Sequence, residues 1–317
     1  RDDDLLTTPM SNLCAFDVAQ GRFEAAEVSV AQALEISEER DAPICAAWQL
    51  GVRARLRLLQ GRWTEAEEDA RTVLRGGDLP LSRVWPHLVL GLLLARREAP
   101  PENPHLDELW RLVNRLDIPA TVAPATAALA ENAWITRTPD PRLEHPLVTG
   151  LSTRDYAGKA AVVGQLDRWT RRLAGAPEPY TAPSDQPYER ALAAWDAGST
   201  EDLLVALDLF DELGARAAAD LVRARLREVG VSRIPRGRQP TTRANPAGLT
   251  ARQLDVLALL VEGLSNADIA ARLVISPRTA DHHVSAILGK LGVHSRGAAA
   301  AAARRLGVGV TPPAARA

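Results

Sequence analysis

Near the carboxyl end of the chain, Arg278, Asp281, His282 and Ser285 recur at steps of three and four residues, so a helix through them presents all four along one row. A guanidinium, a carboxylate, an imidazole and a hydroxyl on one rigid face are groups that hydrogen-bond base edges and phosphates. The opposite row, Ala280, Val284, Ile287, Leu288 and Leu291, is apolar and reads as the anchor of that helix. The adjacent His282 and His283 raise the question of a metal, but neighbouring residues on a helix diverge by about 100°. No third ligand stands at a suitable spacing, so no metal site is expected. The chain holds no H-E-x-x-H, no G-x-S-x-G, no G-x-x-x-x-G-K-[ST] and no triad candidate. It is therefore expected to have no catalytic residues, to use no cofactor and not to be an enzyme.

Such a row needs short helices to hold it, and their ends are marked residue by residue. Thr250 can cap a first helix with Gln253 at its third position, and Leu254, Leu257, Ala258, Val261 and the nearby Leu264 are expected on its inner face. Gly263 suits the left-handed backbone that ends it. Ser265 caps a second helix whose Ile269, Ala270 and Leu273 point inward. Ser276 and Pro277 open the third, with proline at the first helical position. Ser295 caps a fourth, Ala298 to Leu306, nearly pure alanine.

The run L-T-A-R-Q-L-D-V-L-A-L-L-V-E-G-L-S-N-A-D-I-A-A-R-L-V-I-S-P-R-T-A-D-H-H-V-S-A-I-L-G-K-L-G-V, beginning at Leu249, resembles the C-terminal helix-turn-helix module of LuxR-type regulators. Thr279, His283, Val284, Lys290, Leu291, Val293 and Arg296 coincide with that family's signature positions, and Asp281, His282 and Ser285 occupy the places where the family reads bases. The resemblance implies double-stranded DNA as partner, met by Arg278, Thr279, Asp281, His282, His283, Ser285, Lys290, Asn266 and Ser276. Gln253 replaces the family's usual glutamate. Asp281 stands where a lysine is frequent; an acid there repels phosphate but can accept from a cytosine amino group. Family members often pair through the fourth helix, which implies a homodimer on DNA through Ala298, Ala299, Ala302 and Leu306, with recognition helices roughly 34 Å apart. Intrinsic helix propensity accounts for the same alanines equally well. A sigma-factor-like region shares part of the pattern, but His283-Val284 and Lys290-Leu291-x-Val293-x-x-Arg296 favour the LuxR type.

The remainder of the 317 residues is expected to be all-helical, because Ala, Leu and Arg dominate and β-branched runs of strand length are nearly absent. Gly21-Arg22-Phe23-Glu24-Ala25-Ala26, ending at Leu34, returns 40 residues later as Gly61-Arg62-Trp63-Thr64-Glu65-Ala66, ending at Leu74. A glycine break, an aromatic and small residues at helical spacing predict stacked hairpins of a tetratricopeptide-like solenoid. A third hairpin is read from Arg83 to Arg97 and His105 to Leu116. Further helices are read at Ala123–Trp134, Tyr156–Leu173, Glu189–Ala197, Glu201–Leu213 and Ala215–Val229. Residues 1–229 are thus read as a helical sensor or interaction domain and 230–248 as a basic, proline-rich linker. The module takes 249–310, with a tail at 311–317.

The formal charge of −2 hides an asymmetry: residues 230–317 carry twelve Arg or Lys against four Asp or Glu, leaving a net −10 for residues 1–229. Positive charge is segregated into the part expected to meet phosphate. No stretch approaches the roughly 20 apolar residues of a membrane span, no signal-peptide pattern opens the chain, and the cytoplasm is expected. Cys14 and Cys45 are read as buried, reduced thiols. The chain opens on Arg1 rather than methionine, and the whole arrangement is similar to the C-terminal portion of large ATP-binding LuxR regulators, which implies an ATPase module upstream of Arg1. The function expected is a DNA-binding transcription regulator whose helical array senses a protein, peptide or small-molecule effector. The alternative is a helical-repeat scaffold whose helix-turn-helix makes protein contacts only.

Overall fold

In the computed structural model, which describes residues 13–77, 79–154, 159–235, 249, 251–293 and 295–305, helix is the only regular element. The chain divides into two units, Arg1–Pro235 and Arg236–Ala317. No helix among the described residues is long and apolar enough to cross a membrane. Arg1, Tyr156 at the start of one expected helix, most of the basic linker, Thr250, His294, Leu306 and the tail lie outside the described residues.

The first unit begins with helix α1 (residues 13–19), α2 (Phe23–Glu39), α3 (Pro43–Leu59) and α4 (Trp63–Gly76). The 40-residue repeat is a repeat of one local geometry. Gly21 and Gly61 both take positive φ, +71° and +81°. In each case the glycine N–H donates three residues back (Val18 and Leu58, both 3.2 Å) and the following arginine N–H five back (Asp17, 2.9 Å; Arg57, 2.8 Å). That bond pair closes a helix end with a left-handed residue, which glycine adopts without steric cost. The next helix then starts on a buried aromatic, Phe23 or Trp63, and buries Ala26 or Ala66 one turn on. These hairpins are compatible with tetratricopeptide-like repeats.

The later helices are α5 (Val84–Glu98), α6 (Pro104–Leu116), α7 (Pro119–Thr136), the one-turn α8 (Pro146–Thr149), α9 (Lys159–Leu173), α10 (Pro187–Ala197), α11 (Thr200–Leu213) and α12 (Arg216–Glu228). Packing also runs between helices far apart in the chain: α12 packs on α5, and Trp63 of α4 meets Tyr188 of α10 with ring centroids 6.0 Å apart. A Cβ on Gly61 would lie 2.8 Å from Pro187 Cγ and 2.9 Å from Leu213 Cδ2. The physical reason is α5, which is buried from Val84 through Leu93 without a polar face. A helix apolar all round needs cover on every side, and α3, α4, α6, α7 and α12 supply it. Helix α7 starts earlier than predicted, with Pro119 in its first turn, and continues through Pro124. Cys14 is buried as expected, whereas Cys45 is only half-buried; both are free thiols.

The second unit holds α13 (Ala251–Val261), α14 (Asn266–Leu273), α15 (Pro277–Leu291) and α16 (Arg296–Arg305). Its core is aliphatic, built on Leu249, Val256, Leu257, Leu260, Ile269, Ile287 and the alanines of α16.

Candidate nucleic-acid interface

Helices α14 and α15 are joined by Val274, Ile275 and Ser276, and chemistry at both ends fixes their starts. Ser265 caps α14 with a reciprocal box: its Oγ accepts from the Asp268 N–H at 3.2 Å, and the Asp268 carboxylate accepts from the Ser265 N–H at 3.1 Å. The Ser265 hydroxyl also donates to the Asp268 carboxylate at 2.5 Å, and that bond, with the one from the Ser265 N–H, holds the Asp268 carboxyl below the usual range. Ser276 caps α15 by accepting from the Thr279 N–H at 3.1 Å, and the Ser276 and Thr279 hydroxyls bond each other at 2.8 Å. Val274 ends α14 at φ +52° and is 91% exposed. A β-branched residue in the left-handed region is strained, and the sequence reading passed over it. Arg252 of α13 steadies this turn by donating to the Leu273 carbonyl at 2.6 Å.

Helix α15 is amphipathic as read: Ala280, Val284 and Ile287 are buried and Leu288 and Leu291 half-buried, while Arg278, Thr279, Asp281, His282 and Ser285 are exposed and His283 is half-buried. The inner face of α13 is wider than expected. Leu257 is buried, but Val256, Leu259, Leu260 and Gln253 complete the inner face, and Leu254, Ala258 and Val261 are only half-buried at its edge. The inner row was displaced because α13 is covered by both α15 and α16 and so buries a wider stripe than one neighbour would require.

Polar ties then set the register of the four helices. The Arg296 guanidinium donates to Asn266 Oδ1 at 2.6 Å and also to the Leu264 carbonyl. The Asn266 amide donates in turn to Asp281 Oδ1 at 3.1 Å. Lys290 Nζ donates to Oε1 of the buried Gln253 at 2.8 Å, joining α15 to α13. Of the residues read as meeting DNA, Arg278, Thr279, Asp281, His282, Ser285 and Ser276 are therefore exposed around the amino-terminal half of α15. Asn266 and Lys290 are engaged within the protein. Arg296 and Gln253, which hold them, were legible as a signature position and a departure but not as tethers.

Of the α16 residues read as pairing, Leu306 lies outside the described residues. Ala299 is fully buried and Ala302 is 5% exposed, both turned into the unit's own interior. Ala298 is half-buried, and the exposed side of the helix is Gly297, Ala301, Arg304 and Arg305. Small side chains allow close helix approach, and here that approach is to α13 and α15. Among the described residues no group of three or more His, Cys, Asp or Glu is placed to hold a metal ion.

Residues 247–303 match the family described as bacterial regulatory proteins, luxR family. A protein of Mycobacterium tuberculosis named as an HTH-type transcriptional regulator is 33% identical over 142 residues, 44% of this chain and 16% of that protein. The DNA-binding transcriptional activator DevR/DosR of the same species is 34% identical over 134 residues, 42% of this chain and 52% of the relative. The transcriptional regulatory protein LnrK of Bacillus subtilis is 47% identical over 62 residues, 20% and 28% of the two chains. This chain thus spans only 16% of the length of the first of these. No solved structure matches. With the capped helix pair and the amphipathic α15 that follows its turn, residues 247–303 are a LuxR-family helix-turn-helix domain.

Proposed function

We propose that the chain is a sequence-specific transcription regulator that binds double-stranded DNA through α15 and receives a signal on its helical unit. The observation that carries this reading is the division of α15: its apolar row is sealed into a capped four-helix core while Arg278, Asp281, His282 and Ser285 stand in solvent at its amino-terminal half. That is the half that reaches base edges when such a helix lies in the major groove. Arg278 makes no hydrogen bond or ion pair with any described residue, so its charge is available to phosphate or guanine.

The sensing role is supported by a cleft of about 680 Å³ in the first unit, lined by Phe16, Ile44, Cys45, Trp48, Leu81 and Ile118 among others. Its size and apolar lining are those of small-ligand sites. In this reading the chain acts by binding in the cytoplasm and catalyses no reaction. A second copy on DNA would meet the Gly297, Ala301 and Arg304–Arg305 side of α16, because Ala299 and Ala302 are already used.

The test is selection of bound duplexes from a random pool, followed by titration of the chosen duplex at several salt concentrations. Affinity should fall steeply with salt, and Arg278→Ala should weaken binding and lower the log–log slope by about 1. Ala197→Ser, on the exposed end of α10, should leave binding unchanged. Salt-independent binding, or no selected duplex, would favour the scaffold reading.

A further inference from the structure

Resting on the DNA-binding reading, we infer that Asp281 selects cytosine in the target by accepting a hydrogen bond from its 4-amino group, with Asn266 and Arg296 as the residues that position the carboxylate. Asp281 is the one acid on the exposed row of α15. Its place is not left to a free side chain, because Arg296 holds Asn266 Oδ1 at 2.6 Å and the Asn266 amide holds Asp281 Oδ1 at 3.1 Å. The relay joins the first residues of α16 and α14 to the second turn of α15.

Oδ1 is taken by the amide, and Oδ2 remains as an acceptor on a carboxylate whose rotamer is already set. Pre-setting removes the ordering cost that an exposed side chain otherwise loses on binding. A carboxylate on this face is repelled by phosphates, by guanine O6 and N7 and by thymine O4. The donors offered in the major groove are the amino groups of cytosine and adenine. Adenine sets its N7 lone pair beside its amino group, which suits a side chain that both donates and accepts, whereas cytosine presents its amino group with no acceptor of its own alongside. An anion that can only accept therefore discriminates for cytosine.

The experiment compares duplexes selected from a random pool by the intact wild-type chain with those selected by Asp281→Ala, Asp281→Asn and Asn266→Ala. Wild type should enrich cytosine at one position of each half-site. Asp281→Ala should lose that preference by about tenfold at that position alone, with the other positions unchanged and binding to unselected duplexes equal or tighter because a repulsive charge is gone. Asp281→Asn, nearly the same shape, should move the preference toward adenine. Asn266→Ala should relax the same position while sparing the rest, a pattern that general loss of folding does not produce. If wild type enriches duplexes and Asp281→Ala keeps every preference, the inference is overturned and the DNA-binding reading stands. If wild type enriches nothing, both fall.

Discussion

The two units dispose of their polar side chains in opposite ways. The first buries ionised pairs: Arg96 bonds Glu131 through two contacts of 2.7 and 3.0 Å, with side chains 6% and 5% exposed, and the guanidinium lies 3.6 Å from the Tyr188 ring centroid. Arg172 and Asp196 form a second pair, and the aromatics Trp134, Trp169 and Trp195 pack close by. In the second unit Gln253 is the buried polar side chain among the described residues, the core is aliphatic, and the charged groups stand at the rim or in solvent. A large unit can enclose charges because each is matched inside it. A small module must make its core from what is apolar, which leaves its polar rows to a partner.

The largest effect expected from breaking this contrast is at Glu131. Glu131→Ala leaves the Arg96 charge buried without its counter-ion and should cost about 3–5 kcal/mol in urea unfolding followed by tryptophan fluorescence. All seven tryptophans precede residue 230, so that signal comes from the first unit. Arg96→Met with Glu131→Leu should recover most of the loss; a single variant within about 1 kcal/mol of wild type would mean that the pair is solvated.

A smaller effect should appear with pH. His87 and His105 face each other through Nδ1 atoms 3.1 Å apart, an arrangement that needs one ring to donate and the other to accept. Burial, and then the neighbouring His105, push His87 from 6.5 down to about 4; Arg83 and Arg111 act in the same direction and Glu108 against it. Burial and Arg71 lower His105 as well. The folded value lies below the unfolded one, so this contribution is complete above pH 6.5 and is lost as pH falls toward 4. The first unit should lose about 2–3 kcal/mol over that window. His87→Leu should flatten the profile; an unchanged profile would remove His87 as its cause.

The smallest change lies in the second unit. Ser265→Ala deletes the capping box of α14 and should cost about 1 kcal/mol, read as faster amide hydrogen exchange in α14 and α15. Equal exchange in both proteins would show that packing alone holds the start of that helix.

Helix, turn and row were legible because they depend on neighbours a few residues away. Glycine at positions 21 and 61, serine before Asn266 and Pro277, and the spacing of Ala280, Val284 and Ile287 each express a local rule that needs no knowledge of the rest of the chain. Closure of the array around α5, the wider inner face of α13, the inward turn of Ala299 and Ala302, and the Arg296–Asn266–Asp281 relay are of another kind. They join residues far apart in sequence: Trp63 with Tyr188, Arg252 with Leu273, Lys290 with Gln253. Periodicity shows that a helix has an apolar side, but which neighbour covers it is settled by packing among all the helices at once. An alanine-rich helix such as α16 carries too little contrast between its faces to announce which one is turned inward.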